Sequence, residues 1–152
     1  MITLSVYLSG RFARKDELSV WRDALEVDGF SSCTRWLDGE PQDMAAIAAM
    51  DEADVRGCDI LIAASEEPVE HSPYPFASRG GRHIETGMAL ALGRLVVVVG
   101  PREPVFHHLA RVIVFPSWPE ARAKLGRALA IAKRRGLSPS SFERALRAEV
   151  DQ

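Results

Sequence analysis

Cysteine is scarce in this chain of 152 residues: Cys33 and Cys58 are the only two. Two loosely placed thiols build no disulfide framework, and the N-terminus lacks the charged-then-apolar pattern of an export signal, so a cytoplasmic protein is expected. Long apolar runs are missing too. The strongest candidate is the short, strand-like Leu95-Val96-Val97-Val98-Val99, far below the roughly 20 residues that span a bilayer. No membrane partner is expected. A net charge of -2 removes the electrostatic case for nucleic acid as the main partner. The basic stretch of Arg122, Lys124, Arg127, Lys133, Arg134 and Arg135 reads as a solvated helix face.

Cofactor and nucleophile motifs are equally thin. Gly80-Gly81 belongs to neither a G-x-G-x-x-G nor a G-x-x-x-x-G-K-[ST] pattern, which removes the usual dinucleotide and triphosphate signatures. No G-x-S-x-G elbow marks a serine hydrolase. The four histidines, His71, His83, His107 and His108, lack zinc-site spacing. Neither metal nor cofactor is expected.

What is present is an ordinary globular balance, 47% hydrophobic and 26% charged, at a length that suits one domain over residues 1–152. Short apolar runs alternate with helical patterns, which argues for a parallel sheet covered by helices on both faces. Strands are expected at 2–8, 31–37, 59–64, 95–100 and 111–115. Helices are expected at 15–27, with Val20, Trp21 and Leu25 inward, and at 41–56, 119–135 and 138–150. The continuous run of valines suits a central strand buried on both faces. No internal repeat or linker interrupts the pattern.

In an open parallel sheet, ligands bind where loops leave the carboxyl ends of strands. That rule selects Ser9-Gly10-Arg11-Phe12, the loop 65–82, Gly100-Pro101-Arg102-Glu103 and Phe115-Pro116-Ser117-Trp118. The second is long enough to suggest a lid, with Tyr74 and Phe76 among prolines. It runs into a helix whose only polar side chains from Ile84 to Leu92 are Glu85 and Thr86, so burial nearly all round is expected. A buried carboxylate needs a partner or a task. In the first turn of a helix, the dipole and free backbone N–H groups would hold Glu85 ionised. Such a carboxylate suits attack on an electron-poor sugar carbon, and retaining glycoside cleavage needs a second carboxylic acid to protonate the leaving group. Asp51, Asp54 and Asp59 are the upstream candidates.

Three features then converge: Tyr7-Leu8-Ser9-Gly10 closing the first strand, Asp51 eight residues ahead of Asp59, and the Glu-x-Gly-x-Ala-x-Ala-x-Gly helix from Glu85 to Gly93. Together they resemble the nucleoside 2-deoxyribosyltransferase family, which includes 2'-deoxynucleoside 5'-monophosphate N-glycosidases. The resemblance spans about residues 3–115. It implies a flavodoxin-like (Rossmann-like) domain with a five-stranded parallel sheet, assembled as a homodimer or larger. It further implies that Glu85 attacks C1' of the deoxyribose, Asp51 helps protonate the departing base, and Tyr7 lies near the sugar and the nucleophile. Gly81, four residues before Glu85, matches a glycine whose backbone approaches the ligand.

One position departs from the pattern. Six residues ahead of the nucleophile the family's transferases often carry a base-contacting Asp and its monophosphate hydrolases a phosphate-contacting Ser, where this chain has Arg79. With Arg11, Arg14 and Arg82, Arg79 supplies guanidinium groups suited to phosphate. Ser9, Gly10, Arg11, Phe12, Arg79, Gly81, Arg82 and Trp36 therefore form the expected substrate-binding set, with Trp36 either stacked on a base or packed in the core. The expected activity is cleavage or transfer at the N-glycosidic bond of a 2'-deoxynucleoside or its 5'-monophosphate. A hydrolase of monophosphates and a non-catalytic nucleotide-sensing module of the same fold are the alternatives.

Overall fold

The computed structural model describes residues 2–39, 43–67 and 80–151. Its centre is a five-stranded, all-parallel sheet in the order β2-β1-β3-β4-β5. The strands are β1 (Ser5–Ser9), β2 (Ser31–Ser32), β3 (Ile60–Ala64), β4 (Leu95–Val99) and β5 (Ile113–Phe115). All five residues of β3 and all five of β4 are buried. Their unbroken apolar runs follow from that position, since helices cover both faces of a parallel sheet.

Helices α1 (Lys15–Asp28), α2 (Met44–Gly57), α3 (Gly81–Ala91), α4 (Trp118–Arg134) and α5 (Pro139–Val150) complete the domain. On one side α2 and α3 pack together against β1, with α3 also reaching β3 and β4. On the other, α1 meets α4 through Trp21 stacked on Trp118, centroids 4.5 Å apart. The Asp28 carboxylate accepts two hydrogen bonds from Arg122 at 2.8 and 3.0 Å across the same seam. Helix α5 closes over α4, and Phe142 meets Phe30 edge to face at 5.6 Å. Its start is a reciprocal cap in which Ser138 and Ser141 satisfy each other's backbone N–H.

Three expectations are corrected. The second strand is two residues long and does not run to Leu37, because Thr34 turns its hydroxyl onto the Leu8 N–H at 2.8 Å, where a strand backbone would have paired. The chain then enters a 3-10 turn, Arg35–Asp38, held by Asp54, which accepts from the Arg35 N–H at 3.1 Å and its Nε at 2.7 Å. In α1, Val20 faces outward at 64% exposure, and the buried set is Leu18, Trp21 and Leu25. Helix α3 is one-sided. It buries Thr86, Ala89 and Leu90, while Ile84 is 66% exposed and Leu92 40%. Apolar composition alone did not specify which face would meet the sheet.

Two glycines set the shape of the crevice floor. A Cβ on Gly10 would lie 2.6 Å from Leu18 Cδ1, so this glycine lets α1 seat closely against the end of β1. Gly100 has φ +116, and a Cβ there would also meet Ser65 Oγ at 2.5 Å. The loop after β4 therefore turns tightly against the end of β3.

Candidate active site

Alternation along β1 places Tyr7 and Ser9 on the same face of the sheet, two residues apart, at its carboxyl end. Helix α3 lies over that face and carries Glu85. The Tyr7 hydroxyl donates to Glu85 Oε1 at 2.9 Å, and the Ser9 hydroxyl donates to Oε2 at 2.5 Å. Each carboxylate oxygen thus has its own donor. Both donors are neutral hydroxyls, and among the described residues no ion pair is made to this carboxylate.

Glu85 is the fifth residue of α3, not a first-turn residue, so the dipole argument from sequence does not apply to it. Burial pushes its carboxyl up to about 7, the Ser9 and Tyr7 hydrogen bonds pull against that rise, and the charge of Asp51 adds to it. Burial is also the main reason that the Tyr7 phenol is held far above its ordinary value, with the charges of Glu85 and Asp51 reinforcing it. Tyr7 is therefore a permanent donor. Among the described residues, Glu85 is poised to change charge near neutrality, the range in which a catalytic carboxyl is most useful.

The three upstream carboxylates have separate surroundings. Asp51, on α2, is the one whose charge acts on Glu85. Asp54, one turn on, is buried and held by Arg35. Asp59 closes the start of β1, accepting from the Ser5 N–H at 2.8 Å and the Ser5 hydroxyl at 3.0 Å.

Three arginines of the crevice among the described residues are matched with acids. Arg11 meets Glu66 at 2.9 Å. Arg14 meets Glu17 at 2.8 Å and donates to the Ser65 carbonyl at 3.0 Å. Arg82, on the first turn of α3, pairs with Glu103. Arg79 and most of the expected lid, with His71, Tyr74 and Phe76, lie outside the described residues. Gly81 is exposed, and a Cβ there would meet no atom within 4 Å. Trp36 is buried, its indole N–H donating to the Leu8 carbonyl at 3.0 Å, with the exposed Phe12 ring 6.4 Å away. Burial raises the Cys33 and Cys58 thiols to about 12 and about 11, which leaves them protonated and inert. Among the described residues, no group of three acids, histidines or cysteines is arranged to hold a metal. No helix among them is long and apolar enough to cross a membrane.

Two features escaped the reading of the sequence. Ser9 was expected near the substrate, yet it is the shortest hydrogen-bond partner of Glu85; its two-residue spacing from Tyr7 was the available signal. Glu103 was noted only as part of a loop, although an acid at a strand's carboxyl end opposite an arginine-led helix marks a structural pair.

No family model matches the sequence, and no curated protein matches it significantly. Among solved structures, the CMP N-glycosidase BcmB of Clostridium botulinum is similar in fold, with a TM-score of 0.55 at 22% sequence identity. The match covers 80% of this chain and 97% of that chain. At that identity the likeness concerns architecture, and the α/β single domain described above is consistent with a flavodoxin-like fold.

Proposed function

We propose that this protein cleaves the N-glycosidic bond of a 2'-deoxynucleoside or its 5'-monophosphate through a covalent intermediate on Glu85. The observation that carries the reading is the partly buried Glu85 carboxyl, gripped by Tyr7 and Ser9 and raised to about 7. The N-glycosidase activity named for the similar structure supports it. So does the location at the carboxyl ends of parallel strands.

In the first half-reaction a Glu85 carboxylate oxygen bonds to C1' as the C1'–N bond breaks. The electron pair leaves with the base nitrogen, and Asp51 passes a proton to the departing base. In the second half, Asp51 as carboxylate takes a proton from water or from an incoming base. The deprotonated acceptor attacks C1', and Glu85 departs as the free carboxylate. Tyr7 and Ser9 hold the carboxylate in line and weaken their grip as its charge passes into the new C–O bond. Water as acceptor makes the enzyme a hydrolase, and a second base makes it a transferase. The exposed Ile84 on α3 and Leu92 just past its end suit a self-associating surface, and homodimerisation is part of the proposal.

The test is base release from deoxynucleosides and their monophosphates, with and without an acceptor base. Release by the wild type that is lost in Glu85→Ala supports the assignment. No release, or release unchanged by the substitution, overturns it. Tight nucleotide binding with no product over hours would instead identify a sensing module.

A further inference from the structure

The geometry points to Glu103 as a positioning residue for Glu85, acting through Arg82 and Ser9; this rests on the glycosidase reading above. Glu103 lies in the loop after β4, and its side chain is only 14% exposed. Its two carboxylate oxygens are shared between the two ends of the connection from β3 to α3. Oε1 accepts the Glu66 N–H at 2.7 Å, one residue beyond the end of the buried segment, and Oε2 accepts from Arg82 at the start of α3. His83 Nε2 stands 3.7 Å from the same Oε2. The loop itself is braced from behind, because the Glu103 N–H donates to Nδ1 of His107, which is 2% exposed.

Arg82 carries this restraint toward the reaction centre through its backbone. Its carbonyl accepts from Thr86 Oγ at 2.8 Å and lies 3.3 Å from Ser9 Oγ. Ser9 has one hydroxyl proton and two acceptors within reach, that carbonyl and Glu85 Oε2 at 2.5 Å. The shorter contact takes the proton. Where Arg82 sits therefore decides how fully Ser9 is given to the nucleophile. Glu103 sets that position with a charge-assisted hydrogen bond, which is stronger and shorter than a neutral one. A second acid, Glu66, extends the brace to the loop after β1 through Arg11. Three loops at the sheet's carboxyl ends are thus tied together around one carboxyl.

The experiment compares wild type, Glu103→Gln and Glu103→Ala in steady-state base release, and follows amide hydrogen exchange at Ile84 and Glu85. Glu103→Gln keeps an acceptor for the Glu66 N–H but removes the charge that holds Arg82. A misplacement of about 1 Å costs on the order of a hundredfold in rate. The expected result is a kcat lower by about tenfold in Glu103→Gln and about a hundredfold in Glu103→Ala, with KM within about threefold in both. Amide exchange at the start of α3 should rise about tenfold in Glu103→Gln while β4 is unchanged. A loss confined to KM, or kcat within twofold of wild type, overturns the inference. If Glu103→Ala does not fold, Glu103→Gln decides alone. Wild type without base release would reject the glycosidase reading; unchanged exchange in Glu103→Gln would reject the positioning role independently of any activity.

Discussion

Tyr7 and Glu85 lie 78 residues apart in sequence and are joined by a 2.9 Å hydrogen bond. One comes from the first strand and the other from the third major helix, so neither has a defined chemical role until the sheet has formed. The bond favours the ionised carboxylate against a burial that opposes it. In the proposed mechanism Glu85 must be ionised to attack, so kcat/KM should climb as pH rises through about 7. Tyr7→Phe removes a hydrogen bond that lowers the carboxyl's proton affinity, and the acidic limb moves to higher pH. A pH–rate profile should show the variant most impaired at pH 6 and closer to wild type at pH 8.

The same burial has a cost in stability. Glu85 binds its proton more tightly in the folded chain, near 7, than in the unfolded one, at 4.5. Its contribution to stability is full below 4.5 and is lost as pH rises to about 7. The loss is on the order of 3 kcal/mol, from about 1.4 kcal/mol per pH unit. Glu85→Gln has no such titration. Its thermal midpoint should exceed that of wild type at pH 8, by more than any difference at pH 5, while base release is abolished.

Asp51 and Asp54 are one turn apart on α2 but should fail differently. Asp51→Asn removes the proposed proton donor, so release of a poor leaving base should fall by about a hundredfold and that of an activated leaving group much less. Asp54→Asn instead loosens Arg35 and the 3-10 turn that carries Trp36. It should lower the thermal midpoint with kcat within about threefold. Equal sensitivity of Asp51→Asn to good and poor leaving groups would rule out its role as the acid.

The paired arginines bear on the choice between nucleoside and monophosphate. A 5'-phosphate that uses Arg11 must compete with Glu66, which holds that guanidinium at 2.9 Å. Glu66→Gln keeps the backbone bond to Glu103 and weakens the competitor. The KM for a monophosphate should then fall by about three- to tenfold, with the KM for the unphosphorylated nucleoside unchanged. If both move together, Arg11 does not contact phosphate.

Much of the architecture was legible in the residues because burial writes itself into composition. The continuous apolar runs of β3 and β4 and the capped start of α5 needed no tertiary information. The second strand failed for a physical reason: Thr34 and Trp36 satisfy Leu8 with side chains, and no propensity rule registers a side chain standing in for a strand. The outward turn of Ile84 and of Val20 was equally hidden, since an apolar side chain does not announce which face it occupies. At the candidate site, the resemblance already placed Tyr7 near Glu85, whereas the bond from Ser9 to the same carboxyl came only from register. The ionisation of Glu85 was read from the helix dipole, whereas burial and two hydroxyls govern it.

The strand order has a bearing on how the molecule comes into being. β1 pairs with β2 and β3, both of which follow it in the chain, and its nearest pairing joins Ser5 to Ser31. No two neighbouring strands are linked by a tight hairpin, so every pairing awaits closure of a crossover, which places folding under the control of chain topology. A nascent chain halted before α3 presents Tyr7 and Ser9 without Glu85, the carboxylate that accepts both their hydrogen bonds. The proposed centre therefore assembles only when the helix that bears Glu85, from the middle of the chain, docks onto a strand from its opening.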